Sequence, residues 1–254
     1  MSTGKPKKIL ITGMSGLIGG AMRTDLEGDY ALSALNHSAV EGVPTLRADI
    51  ADLAAIRPAF EGIDIVVHLA ALASVGAGWD EILHHNIVGT YNVFEAARQA
   101  GVKRVVYASS GATMTGWENE DPYRALVSGN GEALTQSWTS LTVRDPVRPG
   151  GFYGTSKVFG EALARHYTDT SPLSILCLRI GAVTKEDRPR NDREQSVFCS
   201  IRDITNLLRA CVEAPDWLKY DVFFGVSRNR WSYRDMEHTR AVLGFVPQDS
   251  AEER

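Results

Sequence analysis

Residues 8–19 read KILITGMSGLIG, an apolar run rich in branched side chains followed by glycines at 13, 16 and 19. A short run of that kind is a buried strand, and the apolar spacing from Leu17 to Glu27 predicts a helix directly after it. The glycines let the backbone turn tightly, approach a bound pyrophosphate and press the helix onto the sheet, and the helix N-terminus favours negative charge. Glycine-rich turns are common, so the weight lies in the placement between strand and helix.

Working outward, the same alternation continues. Strands are predicted over Tyr30–Asn36, Pro44–Asp49, Asp64–Ala71, Arg104–Ser110, Ser174–Gly181 and Val222–Ser227. Helices are predicted over Asp52–Phe60, capped by Asp49 or Asp52, and over Glu81–Ala100, 152–167, Arg202–Glu213 and Asp235–Leu243. Strands that are continuous apolar runs, alternating with helices, point to an α/β fold: a doubly wound parallel sheet covered on both faces. Two stretches break the rhythm, Thr113–Pro149 and the arginine-rich Thr184–Ser200. Both follow carboxyl ends of strands, where open α/β sheets bind ligands, and a connection as long as the first is a functional loop or lid. At 254 residues the economical reading is one domain over 1–254, with a small C-terminal substrate lobe formed mainly by 182–254 and the 113–149 loop.

A net charge of -4 gives no electrostatic footprint for nucleic acid, and the run of Lys5, Lys7 and Lys8 reads as a solvated tail. No apolar run is long enough to span a membrane or to act as a signal peptide, so a soluble cytoplasmic protein is expected. Cys177, Cys199 and Cys211 stand far apart, as buried reduced thiols do. The histidines form no metal-binding spacing, and His84 and His85, being adjacent, are expected on different sides of a helix; no metal is expected.

Residues 150–167, GGFYGTSKVFGEALARHY, carry two patterns. Phe152, Phe159, Leu163 and Tyr167 make an apolar stripe at helical spacing, expected to dock the helix on the core. Tyr153 and Lys157 lie one turn apart on one face, where a phenol and an ammonium can share a proton. A tyrosine beside an apolar stripe is ordinarily core; the lysine is what that reading leaves unexplained.

Gly13-x-x-Gly16-x-x-Gly19, His68-Leu-Ala-Ala71, Asn86-Ile-Val-Gly-Thr90 and Tyr153-x-x-x-Lys157 together resemble the extended branch of the short-chain dehydrogenase/reductase superfamily, the NAD-dependent epimerase/dehydratase family. The resemblance implies a Rossmann-type sheet that binds NAD or NADP. It implies cofactor contacts from Gly13, Ser15, Gly16, Leu17, Ile18 and Gly19, from Asp49 and Ile50 near the adenine, from Leu69, Ala70 and Ala71, and from Asn86, Tyr153 and Lys157. With a nicotinamide bound, a lysine on its ribose lowers the phenol from about 10 toward working pH, so that Tyr153 acts as general base while hydride leaves the same carbon. A serine ending the fifth strand would hold the reacting oxygen. Ser110 is favoured; Ser109, which can equally face the core, and Thr113 are the alternatives. Where an acidic residue normally takes the ribose hydroxyls of NAD, this chain has Asn36, which fits either cofactor.

Asn86–Arg98, Ala108–Ser110, Arg148–Lys157, Arg179–Gly181 and Leu243–Asp249 resemble the bacterial uronate dehydrogenases, which oxidise a hexuronate hemiacetal with NAD. That resemblance implies substrate contacts at Ser74, Ser110, Gly111 and Tyr153. It also implies a carboxylate clamp at Arg193, with Arg188 and Arg190 as neighbouring alternatives, since a guanidinium offers a carboxylate two parallel donors. The chain departs from those enzymes at Gly111-Ala112, where they have Asn-His, at Ala182, where they have serine, and at Asn36.

The expected function is an NAD(P)-dependent oxidoreductase passing a hydride between nicotinamide and a small polar hydroxy or carbonyl substrate, a hexuronate among them. A sugar or nucleotide-sugar epimerase of the same family is the first alternative, and the small C-terminal part counts against it. A non-catalytic dinucleotide sensor is the second, and the presence of both Tyr153 and Lys157 counts against that. Family analogy implies a homodimer through the helices carrying Glu81 and Tyr153.

Overall fold

The computed structural model describes residues 6–74, 76–134 and 137–254; the expected tail at Lys5, and Thr135 and Gln136 of the 113–149 stretch, lie outside the described residues. Seven strands form: β1 (Lys8–Thr12), β2 (Ala31–Asn36), β3 (Thr45–Arg47), β4 (Ile65–His68), β5 (Arg104–Ser110), β6 (Ser174–Ile180) and β7 (Tyr220–Gly225). They make one sheet in the order β3-β2-β1-β4-β5-β6-β7, every neighbouring pair parallel. The order reverses between β1 and β4, which opens a crevice at their carboxyl ends.

The strands read as unbroken apolar runs because the two sides of the pleat feed two cores. Ile9 and Ile11 face one core and Leu10 the other; Val106 and Ala108 separate in the same way from Val105 and Tyr107. Helices α1 (Leu17–Leu26) and α8 (Ile201–Glu213) close the first side through Met22, Leu26, Ile204, Leu207 and Leu208. Helices α4 (Gly89–Gln99) and α6 (Phe152–Thr170), with the short α2 (Leu53–Ile56), close the second through Val93, Phe94, Ala164, Tyr167 and Ile56. Asp52, rather than Asp49, caps α2, its carboxylate accepting from the Ala55 amide at 3.0 Å. The three cysteines are buried and free.

The helix expected over Glu81–Ala100 is built in three pieces: α3 (Trp79–Ile82), a π-helical stretch over Leu83–Val88, and α4. The wider turn breaks the simple helical spacing. It brings the His84 and His85 rings to 4.8 Å beside Asp49, instead of on separate sides.

The apolar stripe of α6 docks it only in part, through Tyr167 and Leu163. Phe152 is half exposed, and the buried face is Gly154, Ser156, Lys157, Gly160, Glu161, Ala164 and Tyr167. The helix lies so close to the sheet that a β-carbon on Gly160 would collide with the Tyr107 ring and hydroxyl, which leaves the inner face to small and polar residues.

The described residues of the 113–149 stretch form a packed lobe. A 3₁₀ run over Gly111–Asn119 and α5 (Tyr123–Val127) share a small core with β7 and α7 (Asp192–Val197), made of Met114, Tyr123, Leu126, Val197, Phe224 and Tyr233. Backbone bonds from Leu141 to Tyr233 and from Asp235 to Leu141 tie it to the segment before α9 (Glu237–Leu243). No helix among the described residues is long and apolar enough to cross a membrane.

Beneath the crevice His68 is fully paired while neutral. Thr12 Oγ1 accepts from the Ala70 amide at 3.1 Å and lies 2.8 Å from His68 Nδ1, while Thr90 Oγ1 lies 3.3 Å from Nε2, so each ring nitrogen has a hydroxyl that can donate or accept to suit either neutral tautomer. Burial first, and the Lys157 charge second, push the imidazole down to about 3. The unfolded chain therefore binds the extra proton below about 6.5, and stability falls as pH drops through that range. Unfolding titrations should show a loss of about 1.5 kcal/mol between pH 6.5 and 5.0 that is mostly absent in His68→Gln. An equal slope in the variant would refute the assignment.

Candidate active site

The strand-to-helix turn that follows β1 is built from Gly13, Gly16 and Gly19. Gly13 has φ +73, and a β-carbon there would lie 2.9 Å from the Ala70 amide nitrogen; one on Gly19 would lie 2.5 Å from the Gly13 carbonyl oxygen. No side chain caps the start of α1, so its first amides stay open to an anion. Gly13, Ser15, Gly16, Asn36, Ile50, Leu69, Ala70 and Ala71 line a cleft of about 380 Å³. It shares Gly13, Gly16, Leu69 and Ala71 with a second of about 340 Å³, which adds Leu17, Ile18, Gly19, Ser110, Tyr153 and Lys157. The bare turn, the open helix end and a trough of that length fit a dinucleotide.

Two expected cofactor contacts are spent inside the protein. Asn86, on the π-helical stretch, accepts from the Leu72 amide at 2.8 Å and donates to the Leu72 carbonyl and Ser156 Oγ, so it fixes the loop after β4. Asp49 stands outside the cleft lining, its carboxylate accepting from the Ala51 amide at 2.9 Å and paired with His84 at 3.0 Å; the amide bond is the main cause of its lowered pKa. Asn36 is buried, donates to Ser15 Oγ at 2.9 Å and to Ser38, and lines the first cleft.

Both Ser109 and Ser110 line the cleft of Tyr153 and Lys157, and alternation along β5 sends their side chains to different partners. Ser109 points inward and donates to Glu161 at 2.6 Å, beneath the buried pair that Glu161 makes with Arg179 at 2.8 and 2.9 Å. Ser110 faces the cleft, and its hydroxyl accepts from the Ala112 amide at 3.1 Å. Thr113 is wholly buried and donates to the Ser110 carbonyl. Lys157 donates to the Ala108 carbonyl at 2.7 Å, and its nitrogen lies 5.7 Å from the centre of the Tyr153 ring. Burial lowers the ammonium to about 8, with Glu161 opposing. Burial also raises the Tyr153 phenol, and the Ser110 hydroxyl beside it pulls the other way. The arrangement is a desolvated acid/base pair with a hydroxyl donor next to it.

Ser110, Gly111 and Tyr153 open onto a further cleft of about 410 Å³, lined also by Glu118, Ala182, Arg193 and Arg234. Arg193 reaches it with one edge of its guanidinium taken, since Nε and Nη2 donate to Glu118 at 2.5 and 2.8 Å, and Glu118 accepts from the Tyr233 hydroxyl as well. Its charge is thus already met by a carboxylate, and only the Nη1/Nη2 edge is left for a substrate. Arg190 is paired with Glu194, and Arg188 lies outside the lining. Ser74 is exposed on the loop after β4 and lines neither cleft. Sequence spacing gave no notice of Glu118 or Arg234. The one signal was Gly111, a residue with no side chain beside the favoured serine, against which the Arg234 guanidinium packs.

The family model described as the NAD dependent epimerase/dehydratase family matches residues 9–214. L-arabinose 1-dehydrogenase (NAD(P)(+)) of Haloferax volcanii is 36% identical over 96% of this chain and 97% of its own length. NAD-dependent glucose-6-phosphate dehydrogenase of the same organism is 32% identical over 96% and 94%. The crystal structure of uronate dehydrogenase from Agrobacterium tumefaciens superposes with a TM-score of 0.81 at 33% identity, covering 97% of this chain and 86% of that one. With the dinucleotide trough, the paired Tyr153 and Lys157 and full-length similarity to nicotinamide-dependent enzymes, the chain belongs to the NAD-dependent epimerase/dehydratase family and is an NAD(P)-dependent oxidoreductase.

Proposed function

We propose that this chain is a dehydrogenase of small free sugars or sugar acids, with a hexuronate as the leading substrate. The observation that carries the reading is the meeting of two spaces at one point: Ser110 and Tyr153 line both the end of the dinucleotide trough and the 410 Å³ cleft. That cleft has room for a monosaccharide. The sugar dehydrogenases among the relatives support the substrate class.

In this reading Gly13, Ser15, Gly16, Leu17, Ile18 and Gly19 hold the pyrophosphate, Asn36 and Ile50 the adenosine end, and Lys157 the nicotinamide ribose. Bound there, the nicotinamide supplies the hydride acceptor. Ser110 holds the substrate oxygen and Tyr153 takes its proton. Lys157 places a positive charge beside the phenol and so favours the phenolate that accepts that proton. The lobe built from 113–149 and 182–254 forms the outer wall of the substrate cleft.

Tyr153→Phe removes the acid/base group and keeps the fold. Turnover on a panel of uronates and aldoses, followed by nicotinamide absorbance with both cofactors, should fall about 10²–10⁴-fold while NADH binding is retained. Retained turnover would remove the mechanism, and silence of the unaltered protein on the whole panel would remove the substrate class. Asn36→Asp sets a carboxylate against the ribose, so the NAD-over-NADP ratio of kcat/KM should rise about tenfold or more; an unmoved ratio would show that Asn36 does not face the ribose.

We also place the protein in the cytoplasm, in keeping with three free buried thiols, and read it as a homodimer. Trp79, Leu83, Tyr91 and Phe152 expose large apolar surface on α3, the π-helical stretch, α4 and the start of α6, and Trp79 packs on Phe152 with ring centres 5.6 Å apart. Sedimentation of Leu83→Glu/Tyr91→Glu should shift the protein to monomer; a monomeric parent protein would refute this face.

A further inference from the structure

Arg234 is 3% exposed and lines the substrate cleft. Its Nε and Nη1 are sealed from solvent without a hydrogen-bond partner. Its Nη2 is not sealed, and the cleft is the space the side chain lines. No carboxylate among the described residues pairs with it. The Phe224 and Tyr233 ring centres lie 5.9 and 5.5 Å from its guanidinium carbon. The backbone that carries it is fixed by the Leu141 bridge and by the Arg234 amide donating to Ser232 Oγ.

The charge count of the cleft is uneven. Glu118 is neutralised by Arg193, and that leaves one guanidinium over. A guanidinium stays charged at any working pH, and a buried charge without a partner is costly unless something else meets it. The placement is also constrained: a β-carbon on Gly111 would fall inside the guanidinium, so only glycine lets Arg234 reach the wall beside Ser110.

From this we infer that Arg234, the cleft cation without a carboxylate partner among the described residues, receives an anionic group of the substrate, a carboxylate or a phosphate carried on the same small sugar whose hydroxyl meets Ser110 and Tyr153. The inference rests on the dehydrogenase reading for the substrate's identity but not for the anion site itself. Arg193 then serves as a positioning residue that holds Glu118 out of the way.

The test compares the full-length protein with Arg234→Met, Arg234→Lys and Gly111→Ala. Thermal shift and calorimetry would use D-glucuronate, D-glucose 6-phosphate, inorganic phosphate and uncharged D-glucose as probes. At least one anion should stabilise the unaltered protein more than glucose does. That response should be lost in Arg234→Met, partly kept in Arg234→Lys, and weakened about tenfold or more in Gly111→Ala, where the guanidinium loses its seat. Without ligand, Arg234→Met should melt about 3 °C higher, because it removes an unpaired charge; a merely structural arginine would give a lower melting point. The glucuronate and glucose 6-phosphate arms separate a carboxylate from a phosphate. If no anion binds, or if Arg234→Met binds it as well as the unaltered protein, the inference is overturned; should Arg234→Met not fold, the same responses in Arg234→Lys and Gly111→Ala decide it. Anion binding through Arg234 with no sugar oxidised would overturn the dehydrogenase reading alone.

Discussion

The close seating of α6 on β5 is the contact on which the site depends. Gly160 lies where any side chain would strike Tyr107, and the helix settles low enough for Lys157 to reach the Ala108 carbonyl at 2.7 Å. From that height Glu161 also meets Ser109 and Arg179. Pinning Ser109 inward obliges Ser110 to face the cleft, because successive side chains of a strand point to opposite sides. A buried ion pair of this kind adds little net stability, but losing one partner costs about 3–5 kcal/mol. Glu161 and Arg179 are therefore read as setting the register of the catalytic edge.

Three buried cations near the site are treated in three ways. Arg179 is paired in full by Glu161. Lys157 has a carbonyl and no carboxylate in contact, and burial leaves it at about 8, close to the pH at which it would lose its charge. Arg234 has neither and cannot shed its proton. The phenol of Tyr153, raised by burial, stays protonated in the free protein, so the resting pair is a neutral tyrosine beside a partly labile ammonium.

Much of this was legible in the sequence, and what was not has physical reasons. The strands stood out because both faces are buried, and the first turn stood out because only glycine fits there. Tyr153 and Lys157 were marked by their one-turn spacing, and their role came from the resemblance that the glycine turn, His68–Ala71 and Asn86–Thr90 carry with them. Phe152 misled because apolar periodicity marks a surface that avoids water without saying what covers it, whereas Leu163 and Tyr167 of the same stripe do pack on the core; the positions closest to the sheet had to be small as well. The π-helical stretch was hidden because one inserted residue changes the angular spacing and leaves composition unchanged. Arg193 resembled a clamp in a run of arginines, yet pairing with Glu118, seventy-five positions away, is a tertiary fact. Arg234 sits in a segment with no periodicity to interpret, and its role emerges only from the orphaned nitrogens.

Gly111 and Arg234 occupy the same few cubic ångströms from opposite sides. A side chain at 111 and a guanidinium seated where Arg234 now lies compete for one volume, so a change at either position moves the other. Across a lineage the two sites should covary as a unit. The pair would then act as a hereditary marker of how the cleft wall is built, exchanged whole when one branch gives up a side chain after the serine and gains a cation across the cleft.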